Sequence, residues 1–351
     1  MEPDEQSVAP PDHDLLELTL EVAPDVPRRV MASYARLWQL ETWLRQMVYV
    51  ELRAAFGNSW QQQVAALPGH TLANDLRLTH MPTPEQNPIS YVTFSVLLKT
   101  VANNWKLFEP YLPPQNLWAS KLEEVSQIRN RVAHFRLGHG DDLDRVLRFL
   151  RDIDQGFWKF CTSYNREIPV LPPTRDPVVK RFHPLNQFPF VEVEKRKWAM
   201  SGTVGSGEAF TVAINAIRRP WRTTSASGRI SGQEGYLYDV NIRGLDRRGF
   251  DYRRFLQDTQ HLHGDVVHIC LESFNTSIRI TIPAVLGARR VSKTIQRLID
   301  WAPNSLQKIS DMDDRTAENE RLAQEWPEYV LGPGSPLCFL TSDMPCSFFS
   351  V

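Results

Sequence analysis

The chain has 351 residues, 42% of them hydrophobic, with ten tryptophans and a formal net charge of −1. That length accommodates two domains with separate cores, and the apolar content argues for a folded globular protein; the charge balance by itself says nothing about nucleic acid. The four cysteines (Cys161, Cys270, Cys338, Cys346) are scattered without a C-x-x-C pair, which supports neither a zinc site nor a disulfide framework. No apolar run approaches the ~18 residues that span a bilayer, and there is no basic-then-apolar leader pattern. The expectation is a soluble cytoplasmic protein with reduced thiols and no membrane partner.

Residues 1–26 read as an acidic, flexible start, because positions 1–25 hold eight Asp or Glu and no Lys or Arg. From Pro27 to Gly57 the apolar positions Val30, Tyr34, Leu37, Leu44, Val48, Leu52 and Phe56 recur at helical spacing, and Gly57-Asn58 is a stop signal. A variable stretch with proline breakers follows, over 61–88. Helical patterns resume over 90–108, through Phe94, Leu97, Val101 and Trp105, and over 115–135, through Trp118, Leu122, Val125, Ile128 and Val132. After the Gly138-His139-Gly140 turn, Asp141 or Asp142 caps a fourth helix that runs to Tyr164. Together, 27–168 predict an all-α up-and-down bundle. Residues 169–187 read as a proline-rich linker. Period-two stretches then predict strands over 188–194, 198–204, 209–217, 236–242, 266–271 and 277–282, with helices over 291–301 and 315–326. The fold class expected for 188–331 is an α+β domain with a mainly antiparallel sheet, followed by a loose tail over 332–351.

The chemistry-bearing segment is Arg129-Asn130-Arg131-Val132-Ala133-His134, at the end of the third long helix. A guanidinium, an amide and an imidazole can hold a phosphodiester, polarise it and move a proton, the minimum for cutting RNA without a metal. On a regular helix Arg129 and His134 stand ~7.5 Å apart along the axis and ~140° apart around it, so they do not share a face, whereas Asn130 and His134 do. Either a bend after Asn130 or a second copy across a two-fold axis would improve the geometry. Arg129 falls on the apolar stripe and needs a partner. Glu41, on the apolar stripe of the first helix, can supply it; the competing assignment is a surface pair between Glu41 and Arg45, one turn apart.

R-N-x-x-x-H at a helix end resembles the signature of HEPN domains, helical bundles found in ribonuclease toxins and abortive-infection proteins. The likeness extends to Tyr34-x-x-Leu37-x-x-Leu40-Glu41-x-x-Leu44-Arg45, to Phe56-Gly57-x-x-Trp60, and to Thr93-Phe94-x-x-Leu97 with Asn104-Trp105. These flanks resemble the Abi-like branch, over roughly 27–167. Many members carry a tyrosine after the histidine, where this chain has Phe135. The resemblance implies a metal-independent endoribonuclease acting as a homodimer on an RNA substrate. In that scheme His134 is the general base or acid, Arg129 stabilises the phosphorane, Asn130 orients the histidine or binds a phosphate oxygen, and Glu41 fixes Arg129. No cofactor is implied.

Beyond the bundle, arginines concentrate over 215–255 among Trp221, Tyr236, Tyr238, Phe250, Tyr252 and Phe255, a pattern that fits an RNA surface of phosphate contacts and stacking. The RNA-contacting set expected from both halves is Arg45, Arg131, Arg218, Arg219, Arg222, Arg247 and Arg248. The bland alternative is an ordinary β domain with solvated arginines. His261, His263 and His268 form an H-x-H…H set for which solvated loop histidines are the simpler reading than a metal site. The C-terminal domain is expected to be a sensor or targeting module with a phage-derived trigger or ligand.

Overall fold

In a computed structural model the described residues are 27–67, 69–81, 87–165, 169–170, 175–188, 190–194, 197–200, 208–223, 228–309 and 313–351. The acidic start and part of the strand expected over 198–204 lie outside them. Helix α1 (Arg28–Phe56) carries the bundle. Its first half buries Leu37 and Leu44 of the expected stripe together with Ser33, Leu40 and Glu41, and leaves Tyr34 of that stripe exposed, but every residue from Met47 to Ala55 is buried. The reason is tertiary: bundle helices cover one side of this half and the C-terminal sheet covers the other. Gly57, in the left-handed region at φ 55°, ends the helix where a Cβ would come within 2.9 Å of Leu286.

Short α2 (Gly69–Asp75), then α3 (Phe94–Asn103) and α4 (Trp105–Phe108), lead to the two long helices α5 (Gln115–Ala133) and α6 (Asp142–Tyr164). Thr93 caps α3 by accepting the Val96 N–H at 3.4 Å. Helix α1 packs against α3, α5 and α6, and α5 against α6. At Gly156 of α6 a Cβ would lie 1.7 Å from the Tyr111 carbonyl oxygen, so only glycine admits the chain at that point.

The C-terminal half begins at β1 (Pro169–Val170) and α7 (Pro177–Phe182), followed by the hairpin β2 (Phe190–Glu194) and β3 (Lys197–Met200). Then come β4 (Phe210–Arg218), β5 (Tyr236–Gly244), β6 (Arg248–Phe250), α8 (Tyr252–Thr259), β7 (His268–Leu271) and β8 (Ser277–Pro283). Last are α9 (Ala288–Ser305), β9 (Leu306–Lys308), α10 (Thr316–Gln324), β10 (Val330–Leu331) and α11 (Pro336–Phe339). The main sheet has the order β1-β4-β5-β8-β7-β10 and is antiparallel except for the β10–β7 pair. A helical N-terminal region followed by a mainly antiparallel sheet is the architecture the periodicities predict.

Two stretches differ from expectation. The proline-rich segment is not a bare linker, because its start adds the edge strand β1 and Pro177 with the apolar residues after it builds α7. Asp176 caps α7 by accepting from Val178 and Val179 at 2.9 and 3.2 Å, and Val178, Val179 and Phe182 enter the second core. The tail is not loose either. Phe349 is fully buried, and Phe348 lies edge-on to Trp43 and stacked on Phe157, with centroid distances of 4.8 and 5.8 Å. Asp154 of α6 accepts the Phe348 and Phe349 N–H groups at 3.0 and 2.8 Å. Proline content marks where helix and strand cannot propagate, but docking depends on whether an apolar side chain meets an open core.

Candidate active site at the end of helix α5

Glu41 lies three turns into α1 and is only 9% exposed. A carboxylate this covered requires cationic or donor partners, and it has two. The Arg45 guanidinium, one turn further along α1, pairs with Oε1 and also donates to the Val92 carbonyl at 3.0 Å. Arg129 Nε of α5 donates to Oε2 at 3.4 Å. Glu41 thus contacts both arginines weighed for it, and the contact with Arg45 is half-buried and not a surface pair. Two guanidiniums share one carboxylate, so the cluster keeps a net positive charge and unused N–H donors. It lines a groove of ≈ 190 Å³ between α1 and α5, together with Tyr34, Leu37, Trp38, Val132 and Ala133. A cationic groove with spare donors is suited to an oxyanion such as a phosphodiester.

Helix α5 runs as α-helix through Ala133, and His134 is its C-cap residue. The helix does not stop at Asn130, so Arg129 and His134 stay on different faces. Arg129 lines the groove, whereas His134 is exposed outside it. Asn130 is also exposed, and its carbonyl accepts the His134 N–H at 3.3 Å. The turn beyond the histidine is a Schellman closure, in which Phe135 N–H reaches the Val132 carbonyl at 3.2 Å and Arg136 N–H the Arg131 carbonyl at 2.9 Å. Phe135 occupies the left-handed position at φ 53° and is 98% exposed.

The loop carrying His134 is tied down by Asp142, the first residue of α6. Its carboxylate accepts from Arg131 Nε at 3.1 Å, from Arg131 Nη2, and from the His139 N–H at 2.9 Å. Burial alone would raise the Asp142 carboxyl, but the Arg131 and His139 contacts outweigh it and hold it below the usual carboxylate range. Arg131, expected to contact RNA, is thereby engaged as a structural clamp. The sequence reading of Asp141 or Asp142 as a helix cap did not anticipate this tie: Asp141 holds the cap position without a side-chain bond, and Asp142, two residues after the Gly-His-Gly turn, ties the loop instead.

The basic set of the C-terminal half does not assemble. Arg219 is fully buried and cannot touch RNA. It donates to Glu51 of α1 at 2.6 to 3.2 Å and to Tyr111 Oη at 3.0 Å, while Trp221 Nε1 donates to the same carboxylate at 2.7 Å. Burial pulls the Arg219 pKa down, but the adjacent Glu51 charge outweighs it and keeps the guanidinium ionised. Arg222 is half-buried and pairs with Glu234 at 3.3 Å. Arg248 donates to the Glu208 carbonyl at 3.3 Å, Arg218 is half-buried, and Arg247 is exposed. Arg218 opposes Tyr236 at one end of the β4–β5 ladder, and Phe210 opposes Gly244 at the other. The Arg218–Arg222 and Arg247–Arg248 groups thus flank a span of roughly 26 Å of strand. Trp221, Tyr236, Tyr238, Phe250, Tyr252 and Phe255 are all buried and offer no stacking face. The aromatic-laced RNA surface is therefore corrected to aromatics that form the two cores, Trp221 in that of the bundle and the other five in that of the sheet, because helices pack over both faces of the strands and burying the rings removes them from water.

His263 and His268 are likewise interior, not solvated. His268 Nδ1 meets Tyr164 Oη at 3.0 Å and His263 Nε2 meets Thr259 Oγ1 at 3.2 Å; burial pushes their pKa values down to about 3 and about 4. Among the described residues no group of three or more His, Cys, Asp or Glu side chains is placed to hold a metal ion. Nor is any described helix long and apolar enough to cross a membrane.

Residues 36–154 match the family model for Swt1-like HEPN domains, the stretch that holds Glu41, Arg45, Arg129 and His134. HEPN domains are typically ribonucleases or RNA-binding folds. The match carries the HEPN assignment but not the Abi-like branch, which the flanking residues had resembled. No curated protein and no solved structure matches the chain.

Proposed function

Because residues 36–154 form a HEPN domain, we propose that the protein is a metal-independent endoribonuclease that cuts RNA through its own 2′-hydroxyl. The observation that carries this reading is the Glu41-anchored Arg129 in a cationic groove, with the exposed His134 at the end of the same helix. The 2′-oxygen attacks the adjacent phosphorus, the bond to the 5′-oxygen breaks, and the 2′-hydroxyl proton ends on the leaving oxygen. The products are a 2′,3′-cyclic phosphate and a 5′-hydroxyl. His134 serves as base on the 2′-hydroxyl or as acid on the 5′-oxygen. Arg129, with Arg45 beside it, stabilises the charge that develops on the non-bridging oxygens, and Asn130 orients the imidazole or binds a phosphate oxygen. DNA lacks the 2′-hydroxyl and is not cut by this route.

The active unit is a homodimer. Met31, Tyr34 and Trp38 follow one another at three and four residues along α1 and are 39, 53 and 60% exposed. This apolar stripe leads directly to Glu41 and Arg45. Pairing two copies along it sets each groove against the partner's helix end, where His134 of one chain can meet Arg129 of the other. The biological role is toxin-like cleavage in the cytoplasm during abortive infection, with the C-terminal half as the sensor of a phage-derived trigger.

The test is incubation of wild type and His134→Ala with total RNA in EDTA. Wild-type cleavage that persists in EDTA, leaves cyclic phosphate ends and vanishes in the variant is the expected result. Identical RNA profiles for the two proteins would remove the enzyme and leave a non-catalytic RNA-binding or dimerisation scaffold.

A further inference from the structure

Phe135 breaks two local rules at once. The C′ position of a Schellman closure has φ near +55°, where a Cβ is strained and glycine is preferred; here it holds phenylalanine at φ 53°. The ring gains nothing in return from the fold, since it is 98% exposed. Neither backbone preference nor burial within this chain favours the residue, so its use lies outside the chain. Its backbone is also held in place. The Phe135 and Arg136 N–H groups close the turn, and one helical turn earlier, at Arg131, the helix end is clamped to Asp142.

The surroundings indicate the occupant. His134 precedes the ring directly, and Val132 and Ala133, lining the Arg129 groove, lie just before it. Arg136 follows it, exposed, and its guanidinium has no hydrogen-bond or ion-pair partner among the described residues. The exposed phenyl lies between an imidazole and an exposed guanidinium, beside the cationic Arg129 groove. It matches the pairing of aromatic face and cation that binds single-stranded nucleic acid. Tyr34 and Trp38 of the α1 stripe line the same groove, so the oligomeric state has to be read alongside RNA binding.

We propose that Phe135 is a stacking platform for a nucleobase of the RNA strand next to the scissile phosphate, with Arg136 contacting the adjoining backbone. The left-handed turn trades local stability for a ring carried into solvent on a hydrogen-bonded backbone. The inference rests on the ribonuclease reading for its setting, and its test separates the two.

The test uses the full chain in a His134→Ala background, so that RNA stays intact, and short oligoribonucleotides carrying a single 2-aminopurine at successive positions. Binding is expected to quench the fluorophore at one or two positions. Phe135→Gly should abolish that quench and weaken binding roughly ten-fold, the order of effect of one base–aromatic stack. Phe135→Trp should restore both. The melting temperature of Phe135→Gly should equal or exceed that of its parent, because glycine suits the turn, so loss of binding cannot come from unfolding. Equal affinity and quench in Phe135→Gly would overturn the proposal, as would failure of the full chain to bind any of the oligoribonucleotides. A Phe135→Gly protein that sediments as a monomer where its parent is a dimer would assign the ring to a second copy instead, and would also overturn it. If wild type leaves total RNA uncut while the Phe135-dependent quench holds, the enzyme reading falls and the stack stands. Unchanged cleavage and KM in Phe135→Gly would have the reverse effect.

Discussion

Glu41 shows how one buried charge organises a site. Its carboxylate is bound by Arg45 from its own helix and by Arg129 from α5, and the second contact directs a guanidinium that would otherwise emerge from an apolar stripe. Arg129→Ala is expected to lower kcat for RNA cleavage by on the order of 10²–10³-fold, the usual cost of deleting one donor to a developing oxyanion. Glu41→Gln keeps the shape and removes the charge that orients both arginines, and should lower cleavage in the same direction by a smaller factor. The pairs are partly exposed, so the accompanying change in unfolding free energy should stay within ~1 kcal/mol. Urea denaturation alongside the cleavage assay distinguishes lost chemistry from lost folding. A Glu41→Gln protein with wild-type cleavage would show that Arg129 needs no anchor.

At the scale of elements, the second half of α1 is the joint between bundle and sheet. Glu51 and Arg219 are both fully buried there, and Tyr111 and Trp221 complete the carboxylate's partners. The pair crosses from α1 to the end of β4. Desolvating two ions costs several kcal/mol and their attraction offsets it only while both are present. Glu51→Gln or Arg219→Met alone should destabilise by about 3–5 kcal/mol, whereas Glu51→Met with Arg219→Met should recover most of that loss. Additive losses in the double variant, read from urea unfolding, would show that the two charges are not coupled. Their location at the joint also explains why every residue of α1 from Met47 to Ala55 is buried, a pattern no amphipathic helix of an isolated bundle would have.

For the whole molecule, the two halves do not behave as beads on a string. The bundle's core takes in Ile217 and Leu237 from the sheet, Trp221 and Val267 from the loops beside it, and Leu337, Leu340 and Phe349 from the end of the chain. A conformational change in the C-terminal half would therefore reach α1, the helix that holds Glu41. The exposed α1 stripe predicts self-association. Trp38→Glu should shift the protein from dimer to monomer in sedimentation velocity and lower cleavage with it, while leaving the melting temperature near wild type. A Trp38→Glu protein that remains a fully active dimer would place the dimer face elsewhere.

Helix and strand positions were legible because their signal is periodic and local: the apolar spacing of α1, α5 and α6, and the alternation of β4, β5 and β8. The short elements α7, α8 and β6 were not, since a turn or two of helix carries too few residues for a period to register. The candidate site was half legible. Arg129 and Glu41 stood out because each placed a charge on an apolar stripe, which demands a partner. The same rule applied to Glu51 would have exposed the second carboxylate, but Arg219 looked like one member of a basic surface cluster. By itself the sequence determined the helical bundle, the antiparallel sheet and the presence of an arginine, an amide and an imidazole at one helix end. Only the tertiary structure decided which arginine faces solvent, which is locked to Asp142 and which is buried against Glu51. The physical reason is that a residue's periodicity is a property of its own segment, whereas the desolvation and pairing of its charge depend on whatever segment packs over it.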